Sequence, residues 1–132
     1  MTTRSLSSRM TAGSAALLAV VLAANTALAQ ASPEDRTTAE ALFVEAKRLM
    51  EANNFAEACP RLADSQRLDP AVGTLLNLGL CYKSMGRTAS AWSTYREAAA
   101  AARNAGQADR ETIARDEADA LEPKLSLSLI HI

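Results

Sequence analysis

The chain has 132 residues, with 14 basic and 15 acidic side chains, and 48% of it is apolar. This length carries one domain, and a formal net charge of −1 gives neither nucleic acid nor an anionic membrane surface an electrostatic footprint. The one histidine, His131, has no carboxylate or cysteine cluster near it, and no Gly-rich phosphate loop, HExxH or GxSxG sequence occurs. The pattern therefore predicts no catalysis, no cofactor and no metal.

The first 29 residues read as a leader. Arg4 and Arg9 make a basic start, Ala15 to Ala24 form a short apolar run, and Ala27-Leu28-Ala29 is a small-x-small cleavage site. This is the pattern of a secretory signal peptide cut after Ala29. The run is well short of the ~20 residues that span a bilayer, so contact with the membrane is expected only before cleavage. Loss of Arg4 and Arg9 leaves 12 basic against 15 acidic residues, a net charge of −3.

The mature chain is predicted to be helical. Ser32-Pro33-Glu34-Asp35 supplies a capping hydroxyl, a proline at the first position and acids near the positive end of the helix dipole. Ala39, Leu42, Ala46 and Leu49 then recur at three and four residues as far as about Ala52, the spacing of an amphipathic helix. Asn53-Asn54 makes a turn, and Asn54 with Glu57 forms a capping-box pattern for a second helix. That helix carries Phe55, Ala58, Cys59, Leu62 and Ser65, stops at Asp69-Pro70, and should be kinked by Pro60. The carboxylates Asp35, Glu40, Glu45, Glu51 and Glu57 are scattered and read as a solvated face.

A second hairpin follows. Leu75, Leu78, Gly79 and Tyr82 share one side of a helix that Gly86 ends, and Ala91, Trp92 and Tyr95 open the next, which runs to about Asn104 before Gly106. Gly79 and Ala91 alternate small with large across the hairpin, which permits close approach. Sliding the chain by 33 residues superimposes the hairpins: Ala46 falls on Gly79, Leu49 on Tyr82, Asn53 on Gly86, Ala58 on Ala91 and Leu62 on Tyr95. A fifth helix is expected over roughly 108–121, with Ile113, Ala114, Ala118 and Leu121 inward and Arg110, Glu111, Arg115, Asp116 and Asp119 outward, ended by Pro123. Lys124 to Leu129 alternates polar and apolar, a strand signal.

Leu-Gly-x-x-Tyr, then Gly, then Ala-x-x-x-aromatic resembles the signature of the tetratricopeptide repeat. The resemblance covers repeats at about 39–71 and 72–105 with a capping helix at 108–121. It departs from the family at Glu45, Pro60 and Arg103. It implies an all-α stack of helical hairpins and a peptide-binding groove along the first helix of each hairpin. By register that groove takes Glu40, Phe43, Lys47 and Met50, then Leu76, Asn77, Leu80 and Lys83. The alternative is that these residues pack on a further domain. The same register puts Cys59 and Cys81 on facing surfaces of successive hairpins. In an exported protein they would form a disulfide closing a loop of roughly twenty residues, worth about 3 kcal/mol; otherwise they are two buried thiols.

These features together predict an exported, non-enzymatic interaction scaffold of the cell envelope whose partner is another protein or a peptide segment. A leader, a short repeat array and an emerging strand at 123–132 resemble envelope proteins in which such repeats precede a β domain of the PEGA type. The rival expectation is a docking arm for an envelope enzyme or a glycan-binding protein. An accessory factor for assembly or lipoprotein handling fits less well, because no lipid-attachment cysteine follows the apolar run. The final six residues, Leu127 to Ile132, match the translation of CTG TCT CTT ATA CAC ATC, which resembles a transposase adapter used in sequencing libraries. The chain is accordingly expected to be the N-terminal part of a longer protein, with 127–132 foreign to it.

Overall fold

A computed structural model of the chain describes residues 30–130, with side chains described as far as Ser126. The predicted leader and its cleavage site lie outside the described residues, as do His131 and Ile132. Among the described residues the fold is all-α, as expected. Five helices follow one another: α1 (Pro33–Glu51), α2 (Phe55–Leu68), α3 (Val72–Ser84), α4 (Thr88–Asn104) and α5 (Ala108–Ile130). Each packs chiefly on its neighbours in sequence, so the helices stack as successive hairpins.

The turns explain the 33-residue correspondence. Asn53, Gly86 and Gly106 all have positive φ, at 57°, 70° and 68°. After each of them the next amide donates back to a carbonyl in the last turn of the preceding helix: Asn54 to Leu49, Arg87 to Tyr82 and Gln107 to Ala102, all at 2.8–2.9 Å. This is the Schellman closure, which satisfies carbonyls that a helix end leaves open and needs a residue tolerant of the left-handed region. Asn and Gly at 33-residue spacing are therefore the same structural device. Helix α2 ends differently, on the extended Asp69 before Pro70.

The caps follow the sequence at α1 and depart from it at α2. The Ser32 hydroxyl accepts from the Asp35 amide at 3.0 Å, and the Asp35 carboxylate accepts in return from the Ser32 amide at 3.3 Å. Asn54, predicted to cap α2 with Glu57, makes no side-chain cap. It directly follows the left-handed Asn53, and its own amide is already committed to Leu49.

Two prolines, Pro60 and Pro123, sit inside helices. Helix α2 is continuous across Pro60, and α5 continues through Pro123 to Ile130, so Pro123 does not end it and 124–130 is helix rather than strand. Pro60, Pro123 and the residues whose carbonyls they leave unpaired, Ala56 and Asp119, are all exposed. Water can satisfy those carbonyls, which removes much of what makes an interior proline break a helix. With no neighbouring strand, the helix meets the backbone's own hydrogen-bond demand.

The core divides along the stack. At one end Ala46, Leu49, Met50, Ala58, Cys59 and Leu62 from α1 and α2 enclose Leu78 and Cys81 of α3. At the other end α4 and α5 meet over small residues: Ala98 and Ala99 against Ala114 and Leu75, then Ala91 and Tyr95 against Ala118 and Leu121. Ser65 donates to the Ala39 carbonyl at 2.8 Å, a buried tie between α2 and α1. Gly79 is required where it stands, since a β-carbon there would lie 2.7 Å from the Tyr95 ring. On α5, Ala114, Ala118 and Leu121 face inward as expected, but Ile113 is 53% exposed and Glu111 is half-buried. Ile113 lies one residue, or about 100° of helical turn, from the buried stripe that Ala114 begins.

Candidate functional site

Cys59 and Cys81 are joined in a disulfide between α2 and α3, with their Cα atoms 5.7 Å apart. Both residues are almost wholly buried. The Met85 sulfur lies against Cys59 Sγ at 3.5 Å, and the Phe55 carbonyl oxygen lies 3.6 Å from Cys81 Sγ. The bond therefore sits inside the core that joins the first hairpin to the second, the joint the repeat register implied.

The odd-numbered helices share one face. Lys47 of α1 donates from Nζ to Asn77 Oδ1 of α3 at 3.2 Å, and Asn77 Nδ2 donates to the Gly73 carbonyl at 2.8 Å. Further along, Lys83 of α3 pairs with Glu117 of α5 at 2.6 Å. These polar contacts run across the face and hold α1, α3 and α5 side by side.

Several clefts open along that face, among them the following two. The first, about 210 Å³, lies where α1, α3 and the start of α5 meet; Glu40, Phe43, Asp69, Thr74 and Arg110 are among the residues lining it. The second, about 220 Å³, lies between α3 and α5 and is lined by Leu76, Asn77, Leu80, Tyr95, Ile113 and Glu117. Its walls are more apolar. Leu80 is 43% exposed and Ile113 53% exposed, so two large aliphatic side chains from different helices stand open to the same space. Neither is consumed by the core.

Most of the groove residues expected from the sequence do reach this face. Phe43 and Lys47 are half-buried on α1, and Leu76, Asn77, Leu80 and Lys83 lie on α3. Met50 does not belong with them: it is 9% exposed and part of the core around the disulfide. Leu76 is shared between roles, since it lines the cleft and packs on both clusters at the α4–α5 end. The sequence reading missed Ile113, Glu117 and Tyr95. The first two stand four residues apart, beside the stripe of Ala114, Ala118 and Leu121, and that spacing is the signal that would have found them.

Tyr95 reaches the cleft from the layer behind. It is only 3% exposed, its ring packs against Gly79, and it lines the space between α3 and α5. Burial, with the nearby Glu117 charge adding to it, pushes its phenol up to about 12. The hydroxyl is thus a proton donor at any ordinary pH. Among the described residues no group of three or more His, Cys, Asp or Glu side chains could hold a metal ion, and no helix is long and apolar enough to cross a membrane. No protein-family model matches the chain, and no curated protein sequence matches it significantly.

Proposed function

We propose that the chain is an exported, non-catalytic interaction module of the tetratricopeptide-repeat kind, which holds an extended peptide segment of another protein across α1, α3 and α5. The observation that carries this reading is the exposure of Leu80 and Ile113 on opposite walls of one cleft. Exposed aliphatic side chains that converge from two helices, rimmed by Lys83, Glu117 and Asn77, have the composition of a small docking site. The equivalence of the turns at Asn53 and Gly86 and the buried small residues at Ala46, Gly79, Ala58 and Ala91 support the repeat assignment. The disulfide supports export, since such bonds persist in oxidising compartments.

The test uses Leu80→Ser with Ile113→Ser. Both side chains are open to solvent, so the double variant should keep its helicity and melting cooperativity while losing capture of groove-binding peptides by tenfold or more. Unfolding of the double variant would assign both residues to the core and remove the site. Export is tested separately: protein recovered from the envelope fraction should have the intact mass of a chain beginning at Gln30, and a cytosolic species retaining Met1 would overturn it.

A further inference from the structure

Tyr95 carries an unused hydrogen bond. Its side chain is nearly all buried, yet its hydroxyl makes no hydrogen bond among the described residues. Nor is that oxygen among the enclosed polar atoms left without a partner, which among the described residues include Arg61 Nε alone. The hydroxyl oxygen therefore keeps some exposure while the ring around it is covered. Tyr95 lines the α3–α5 cleft. The ring is held from behind by Ala91, Ala118 and Leu121 and from the side by Gly79, so it has little room to swing away. The cleft thus has a fixed proton donor at its base and aliphatic walls.

Charge on the same face adds direction. Lys83 is neutralised by Glu117. Lys47 donates to the neutral Asn77, with no carboxylate at ion-pair distance among the described residues. Lys47 therefore stands on the α1 side of the apolar cleft as a cation with no ion-pair partner among the described residues.

We propose that the α3–α5 cleft is a side-chain pocket for an extended peptide, which inserts one aliphatic residue between Leu80 and Ile113, accepts a hydrogen bond from the Tyr95 hydroxyl on an adjacent main-chain carbonyl, and places an acidic residue against Lys47. This rests on the groove reading above and makes it specific. A donor at the edge of an apolar cleft discriminates, because a ligand that covers it without offering an acceptor leaves the phenol dehydrated and unpaired. The pocket's volume suits one branched aliphatic side chain between Leu80 and Ile113, and the one carboxylate on its wall, Glu117, is already paired with Lys83.

The experiment pans a library of random displayed decapeptides against the oxidised protein, then measures the enriched peptides as synthetic ligands. Enrichment of a Leu, Ile or Val with an Asp or Glu on one side of it is the expected selection. Tyr95→Phe removes one oxygen that makes no internal bond, so the melting temperature should hold while peptide affinity falls about five- to tenfold. Lys47→Gln should weaken the same peptides and reduce their salt dependence. Peptides that bind through Leu80 and Ile113 but are indifferent to Tyr95→Phe would overturn the pocket and leave the groove. Enriched peptides indifferent to Leu80→Ser with Ile113→Ser would place the site elsewhere and overturn the pocket. A library that yields no binder at all would overturn both.

Discussion

The stack has two kinds of joint. Where the first hairpin meets the second, the α2 and α3 backbones approach each other at fewer points than any other consecutive pair, and a disulfide crosses the joint. Where the second hairpin meets the last helix, the α4 and α5 backbones approach most extensively, over Ala98, Ala99, Ala114 and Ala118, and no covalent bond crosses between them. Small side chains let two helix axes approach, so many weak contacts accumulate along their length. The α2–α3 joint has bulkier and fewer contacts, with Leu62, Leu78 and the cystine at its centre. The covalent bond is placed where packing is thinnest. A short helical stack can thus be stabilised either by apolar contact or by restricting the unfolded chain.

Removing the bond gives the largest expected effect. Cys59→Ala with Cys81→Ala should lower stability by about 3 kcal/mol, from the closure entropy of a loop of 22 residues, read from denaturant midpoints against the oxidised protein. The location of the loss matters as much as its size. Amide exchange should accelerate in α1 and α2 well before α4 and α5, because the first hairpin keeps only its apolar contacts with Leu78 and Tyr82 and the half-buried Lys47–Asn77 hydrogen bond. Uniform acceleration through all five helices would mean the two joints belong to one cooperative unit, and the contrast between them would be lost.

What the sequence disclosed of this follows from which constraints are local. The turn at Gly86 and its counterpart at Asn53 were legible because a left-handed residue is demanded by the backbone itself, whatever surrounds it. The same holds for Ser32 as the cap of α1. The cysteine pair was legible only through the 33-residue register, which put Cys59 and Cys81 on facing surfaces. Elsewhere local rules met a context they do not see. Pro123 is a helix breaker where its lost hydrogen bond cannot be replaced, and it stands on a wet face. The alternation from Lys124 to Leu129 is a strand signal only if another strand exists to pair with it. Asn54 had the composition of a cap, but its neighbour's left-handed turn set its backbone. Met50 fell on a groove position by register yet points into the core beside the cystine. The role of Tyr95 was the least accessible of all. Whether a phenol finds an internal partner depends on every neighbouring helix, and no spacing in the chain encodes it.

The uncrosslinked joint is probed by filling it. Ala118 is fully buried on α5, against Ala91, Tyr95 and Leu121. The Tyr95 ring on one side of it cannot retreat, since its other face already meets Gly79 where even a β-carbon would clash. Ala118→Leu therefore has no slack to take up, and its added carbons must push α5 outward. Overpacking of this kind costs about 1–3 kcal/mol, less than loss of the disulfide or close to it, and here the sign of the regional effect should reverse. Exchange should quicken in α5 and in the facing turns of α4, while α1 and α2, held by Cys59–Cys81, keep their protection. The displaced Tyr95 should also misplace its hydroxyl, so the variant should lose peptide affinity that Tyr95→Phe loses without any cost in stability. If Ala118→Leu instead loosened the first hairpin as much as α5, the cystine would not isolate that hairpin from strain at the other end. The α2–α3 joint would then be a rigid coupling, through which packing at Ala118 is felt at Phe43 and Lys47.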